Sequence, residues 1–171
     1  VCIMKKVKII FAALVASVLL FSLAACGGAR GSLSAFVSAV KRADFEKAAE
    51  YVVGQPDLDN PESETGEMYQ YIFEKAAGSF RYSVEEETMN SDETACTIEI
   101  SYSGYSGTEL AVKYAAAILT GSEATRSTVN DLLDDMEKVE ATTTVVLVQN
   151  DDGDWLLEAA TATALIAAIY G

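Results

Sequence analysis

Apolar residues recur first at helical spacing, then on alternate positions, then at helical spacing again, and these changes of period divide the chain. Leu33, Phe36, Val37 and Val40 stand three and four apart, the spacing of one helix face, with Ser32 or Ser34 in place to cap it. Asp44 opens a second helix through Phe45, Ala48, Tyr51 and Val53, which Gly54 ends. The stretch from Gln55 to Pro61 holds both prolines among Asp and Asn residues and reads as a surface loop. A third helix follows from near Glu64 to Ala77, with Met68, Tyr71, Ile72 and Ala76 on one face and Gly78 as its terminator.

At Phe80 the period drops to two. Phe80, Tyr82 and Val84 alternate with Arg81, Ser83 and Glu85, and Cys96, Ile98, Ile100 and Tyr102 alternate with Thr97, Glu99 and Ser101. Met89-Asn90-Ser91-Asp92 turns between them, so a two-stranded antiparallel hairpin with one buried face is expected. Gly104 and Gly107 break the second strand. Thr108 then caps a helix through Leu110, Tyr114, Ala117 and Ile118 to Gly121, and Val129, Leu132, Leu133, Met136 and Val139 space out a further amphipathic helix. The β-branched run Thr142 to Gln149, the turn Asn150-Asp151-Asp152-Gly153 and Trp155-Leu156-Leu157 predict a second hairpin. Ala159 to Tyr170, with Leu165, Ile166 and Ile169, closes the chain as a helix. Strands segregated from helices in this order predict an α+β domain, N-terminal helices packed on one face of an antiparallel sheet, with a helical insertion from Thr108 to Glu140 and a C-terminal helix.

Composition supports a folded core and narrows the partners. Half of the 171 residues are hydrophobic and two are Pro, too apolar and too poor in breakers for a disordered chain. The chain carries 12 Lys+Arg against 26 Asp+Glu and no His. Three of those basic residues, Lys5, Lys6 and Lys8, lie in the first ten positions, so the chain beyond Ala25 keeps nine basic residues against 26 acidic ones, a formal charge of −17. Phosphates are neutralised by clustered Lys and Arg, so nucleic-acid binding is excluded on charge, and anionic headgroups are repelled for the same reason.

The start of the chain has a different character. Lys5-Lys6-Val7-Lys8 precedes an uncharged stretch from Ile9 to Ala25, the layout of an export signal. As a helix that stretch reaches only about 25 Å, less than the roughly 30 Å hydrocarbon core of a bilayer. Val1-Cys2-Ile3 stand before Met4, and a start at Met4 gives the more typical signal. Leu23-Ala24-Ala25-Cys26-Gly27 then resembles the lipobox of bacterial lipoproteins, in which a Leu and small residues precede the Cys that is modified. The resemblance implies cleavage between Ala25 and Cys26, a covalent diacylglycerol thioether on Cys26, and anchoring on the extracytoplasmic face of the membrane in a bacterial envelope. Two acyl chains, at about 0.8 kcal/mol per buried methylene, anchor a protein stably without a basic patch. The organisation expected is a signal peptide over 1–25, a flexible Gly-rich tether over 26–32 and one domain over 33–171.

Candidate chemistry is sparse. With Cys2 removed and Cys26 lipidated, Cys96 is the one remaining thiol, so no internal disulfide forms, and without His no Cys-His pair activates it. Asp151, Asp152 and Asp154 around Gly153 lack the oxygen ligand and terminal Glu of a calcium loop and read as a turn. Glu85-Glu86-Glu87 and Asp131, Asp134 and Asp135 read as solvated faces, so no metal site is expected.

Two further segments, Ala35 to Tyr51 and Asn150 to Leu157, resemble small bacterial lipoproteins with an NTF2-like (cystatin-like) fold of the DUF4878 kind. That resemblance implies an N-terminal helix pair covering a curved antiparallel sheet, a cone closed by a strand beginning at a Gly-x-Trp step. Folds of this shape host enzymes, binding proteins and assembly domains, so a reaction does not transfer with the fold. A pocket inside the cone would be lined by Phe80, Tyr82, Ile98, Ile100, Tyr102 and Trp155. Isomerases and dehydratases of this shape pair tyrosines with a buried Asp or His, and no acid falls on an apolar face here, Glu85 and Glu99 both reading outward. The expectation is a membrane-anchored lipoprotein whose non-catalytic domain binds a protein partner or a small apolar ligand without a cofactor. An NTF2-like enzyme and a structural envelope spacer are the alternatives.

Overall fold

The computed structural model of the chain describes residues 28–60 and 66–171. The expected signal peptide over 1–25, the expected lipid-bearing Cys26, Gly27 and the expected start of the third helix at Glu64 lie outside the described residues. Within them the chain is α+β, with six helices and one four-stranded antiparallel sheet in the order β1-β2-β3-β4.

The first helix, α1, is described over 28–40 and takes in residues 28–32, which are expected as tether from composition. The correction has a packing cause. Ala29, Leu33, Phe36 and Val40 recur at three- and four-residue steps and are all fully buried, so the apolar stripe simply begins one turn earlier than Leu33. Glycine within a helix costs roughly 1 kcal/mol relative to alanine. At Gly28 the missing side chain is needed, because a Cβ there would fall 2.8 Å from Trp155 Cδ1.

Asp44 caps α2 (Phe45–Ala49) by accepting from the Lys47 amide at 3.1 Å. The helix stops short of Val53 because the chain is drawn to the sheet. Leu157 donates its amide to Tyr51 O at 2.8 Å, and Val53 donates to Leu157 O at 2.9 Å, a parallel bridge that covers the outer edge of the last strand. In α3 (Glu67–Ser79) Gly78 lies inside the helix rather than ending it. Phe80 is its C-cap, not a strand residue, and turns into the core at 1% exposure.

The sheet is a meander of β1 (Arg81–Met89), β2 (Ala95–Gly104), β3 (Val139–Gln149) and β4 (Trp155–Leu157). β3 starts at Val139, which had been placed in the preceding helix. In β1 the pairing with β2 skips a residue between Val84 and Glu86, a bulge that leaves Glu85 unpaired. Before it Tyr82 and Val84 face inward; after it Glu87 and Met89 do, opposite Ile98 and Cys96.

Between β2 and β3 come α4 (Gly107–Leu119), capped by Ser106 rather than Thr108, and α5 (Arg126–Asp134), capped by Thr125. With α3 they close a second small core of Ile72, Leu110, Tyr114, Val129 and Met136. The main core lies between the sheet and the helices α1, α2 and α6 (Ala159–Tyr170), where Phe36, Ile98, Ile100, Leu147, Leu157 and Leu165 are fully buried. Each such side chain contributes about 1.5–3 kcal/mol by leaving water. Tyr170 gathers the helix ends: its hydroxyl donates to Val40 O at 2.8 Å while its ring stacks on Phe45 and meets Phe73 edge-on.

The molecule therefore has two ends. At the turn end lie the β1–β2 and β3–β4 turns, with Gly28 against Trp155. At the other, the lobe end, β1 and β3 begin, β2 ends, and the α4–α5 lobe joins. Helix α1 runs from the first to the second, where Lys41 Nζ donates to Phe80 O at 2.9 Å.

Candidate functional site

Three strands define a depression at the lobe end. Register places Tyr82 beside Tyr102 and Tyr102 beside Ala141, and flanks them with the rows Arg81, Ser103, Glu140 and Ser83, Ser101, Thr142. Positions 81–83, 101–103 and 140–142 together line an open cavity of about 710 Å³. Among the described residues neither tyrosine hydroxyl has a protein hydrogen-bond partner, although both rings pack on Phe80, at 6.3 Å from Tyr82 and 5.5 Å from Tyr102. The rows Arg81, Ser103, Glu140 and Ser83, Ser101, Thr142 alternate to the face opposite the core-packed tyrosine rings, so the depression is lined by serine and threonine hydroxyls, one guanidinium and one carboxylate, a set suited to a ligand with several hydrogen-bonding groups.

The floor of this site is fixed by the end of α3. Arg81 donates to Gly78 O and Phe80 O, both at 2.8 Å, and Lys41 joins it at Phe80 O, so two cations sit on the carbonyl end of the helix dipole. Burial, and then the neighbouring Arg81 charge, hold the Lys41 amine below its ordinary value. Further along β1 the bulge exposes Glu85, whose carboxylate accepts from Ser101 and from Ser83, the latter at 2.9 Å. Those hydroxyls hold its pKa below the ordinary carboxylate value, Ser101 contributing most.

Of the residues expected to line a pocket, only Tyr82 and Tyr102 reach the depression. Phe80, Ile98 and Ile100 are enclosed in the core, and Trp155 is buried at the turn end against Gly28. Ser83, Ser101, Arg81, Glu140 and Thr142 were not singled out by sequence reasoning. The signal was available in part: once Tyr82 and Tyr102 are paired, their strand neighbours follow, but Glu140 and Thr142 require the correct start of β3.

One acid does lie on the apolar face. Glu87, expected in a solvated run, is carried inward by the bulge, and its side chain is 9% exposed. It is ion-paired with Arg30 of α1 and accepts from the buried Cys96 thiol at 3.7 Å. Glu87 stands opposite Ile98, four residues from Tyr102, or about 13 Å along the strand. It is therefore not part of the tyrosine depression. It joins α1 to the sheet.

The acidic turn after β3 is held by its own backbone. Asn150 Oδ1 accepts from the Asp154 and Asp152 amides at 2.8 and 3.0 Å, Gly153 takes the left-handed conformation, and Asp151, Asp152 and Asp154 point to solvent. Among the described residues no group of acids, Cys or His is gathered for a metal, and no helix is long and apolar enough to cross a membrane. Comparison with protein-family models, with curated proteins and with solved structures found no match.

Proposed function

We propose that the chain is a bacterial lipoprotein, anchored by diacylglycerol on Cys26 to the extracytoplasmic face of a membrane, whose acidic α+β domain binds rather than catalyses. One observation carries the reading: Leu23-Ala24-Ala25-Cys26 ends two residues before Gly28, which is already part of the folded domain and packed on Trp155. A cleavage motif set immediately before a domain is where an anchor has to be. The helix 28–40 laid across an antiparallel sheet, and the Gly153-Asp154-Trp155 step into β4, support an NTF2-like arrangement.

Binding is supported by the depression and its lining of serine and threonine hydroxyls with Arg81 and Glu140. Catalysis of the isomerase or dehydratase kind needs a carboxylate or imidazole on the same face as the phenols, and Glu140 in the lining alternates to the opposite face. The chain has no His, and the inward carboxylate, Glu87, is neutralised by Arg30 at the other end of the sheet. A ligand rich in hydrogen-bonding groups, or a partner's side chains of that character, fits the lining.

Replacing Cys26 by Ser tests the anchor. Expressed in a bacterial host, the variant is expected to accumulate as an unprocessed precursor that takes up no labelled fatty acid. Normal processing of the variant contradicts the reading.

A further inference from the structure

We infer that the turn end of the domain is its membrane-facing surface and that the tyrosine depression opens away from the bilayer. The inference rests on lipid attachment at Cys26 and adds an orientation to it. Consecutive Cα atoms are 3.8 Å apart, so the Cα of Cys26 can lie no more than about 7.6 Å from that of Gly28. Gly28 is fixed on the fold: its Cα packs on the Trp155 indole, Ala29 is fully buried, and Arg30 is ion-paired with Glu87. The anchor is therefore held at the turn end by a leash shorter than the width of one helix. A chain that joined its lipid through a six-residue coil could present any face; this one cannot.

Charge settles the tilt. Anionic headgroups repel a domain of formal charge −17, and a domain tied at one end reduces that repulsion by standing on the tie rather than lying along the surface. Asp92, Glu93, Asp151, Asp152 and Asp154, all exposed at the turn end, keep that end from sinking into the headgroups. From Gln149 back to Glu140 is nine steps along β3, about 30 Å at 3.3 Å per residue. The depression at 81–83, 101–103 and 140–142 is thus raised by that length, and its ligand arrives from the aqueous side rather than from the lipid phase.

The test uses the full chain, processed in a bacterial host and reconstituted in vesicles of phosphatidylethanolamine and phosphatidylglycerol at three to one. Fluorophores are placed separately at Asp152→Cys and Glu140→Cys, the native Cys96 being buried. Quenching by headgroup-spin-labelled lipid is expected to be at least about threefold stronger at position 152 than at 140, given about 30 Å between the two levels. Equal quenching, or the reverse order, on protein whose mass shows a lipidated Cys26 overturns the orientation alone. An unmodified Cys26 in the same mass spectrum overturns the anchor and the orientation with it.

Discussion

Gly28 lies so close to Trp155 that a Cβ on it would fall 2.8 Å from Cδ1 and 3.1 Å from Nε1 of the indole. Both groups are rigid: the glycine is in a helix and the indole is 4% exposed in the core. Gly28→Ala is therefore expected to destabilise the domain by about 1–3 kcal/mol through overpacking. Gly31, in the same helix, has nothing within 4 Å of its Cβ position, so Gly31→Ala is expected to stabilise by about 0.4–1 kcal/mol. Urea midpoints of the two variants check this. Equal shifts in the same direction would show that the first turns of α1 are not docked on Trp155.

Arg30 and Glu87 couple the same helix to β1. Removing the cation leaves a nearly buried carboxylate beside Ile98 and Cys96, whereas removing both charges leaves none. Arg30→Ala is expected to cost about 1–2 kcal/mol, discounted because the arginine is half exposed. The double variant Arg30→Ala, Glu87→Gln should recover part of that loss. A double-mutant cycle with no coupling would contradict the pairing.

The order of elements could be read from the chain because period, caps and turns agreed along most of it. Asp44 caps its helix as its position predicts, the alternation of β2 is kept from Cys96 to Tyr102, and Ala159 to Tyr170 closes as one helix. What could not be read depended on partners distant in sequence. Gly-rich residues before Leu33 have tether composition, and only Trp155, more than a hundred residues later, makes a helical Gly28 favourable. Tyr51 to Val53 fit a helix locally but are taken by the edge of β4. The Glu85 bulge changes which glutamate of three points inward, and alternation alone carries no mark of it. For the candidate site the two tyrosines were foreseen and the polar rows beside them were not, and Glu140 and Thr142 were the hardest to reach because they come from the start of β3, whose first residues resemble the end of α5.

Acid should act visibly on the bulge. The hydroxyls of Ser101 and, secondarily, Ser83 hold the Glu85 carboxylate below its ordinary value near 4.5. The folded state thus releases this proton at lower pH than the unfolded chain does. The associated stabilisation is complete above about 4.5 and is lost as pH falls through the folded value. Ser101→Ala is expected to move the Glu85 titration, followed by its carboxyl carbon in NMR, up toward the ordinary value, with Ser83→Ala moving it less. An unchanged midpoint in Ser101→Ala would show that the hydroxyl does not hold the carboxylate.

The most direct measurement is the intact mass and N-terminal peptide of the full chain recovered from the envelope of a bacterial host. A lipidated bacterial protein is expected to begin at Cys26, to have lost residues 1–25, and to carry a diacylglycerol on the cysteine sulfur. A chain that retains residues before Cys26, or that begins at Cys26 with an unmodified thiol, would contradict the account.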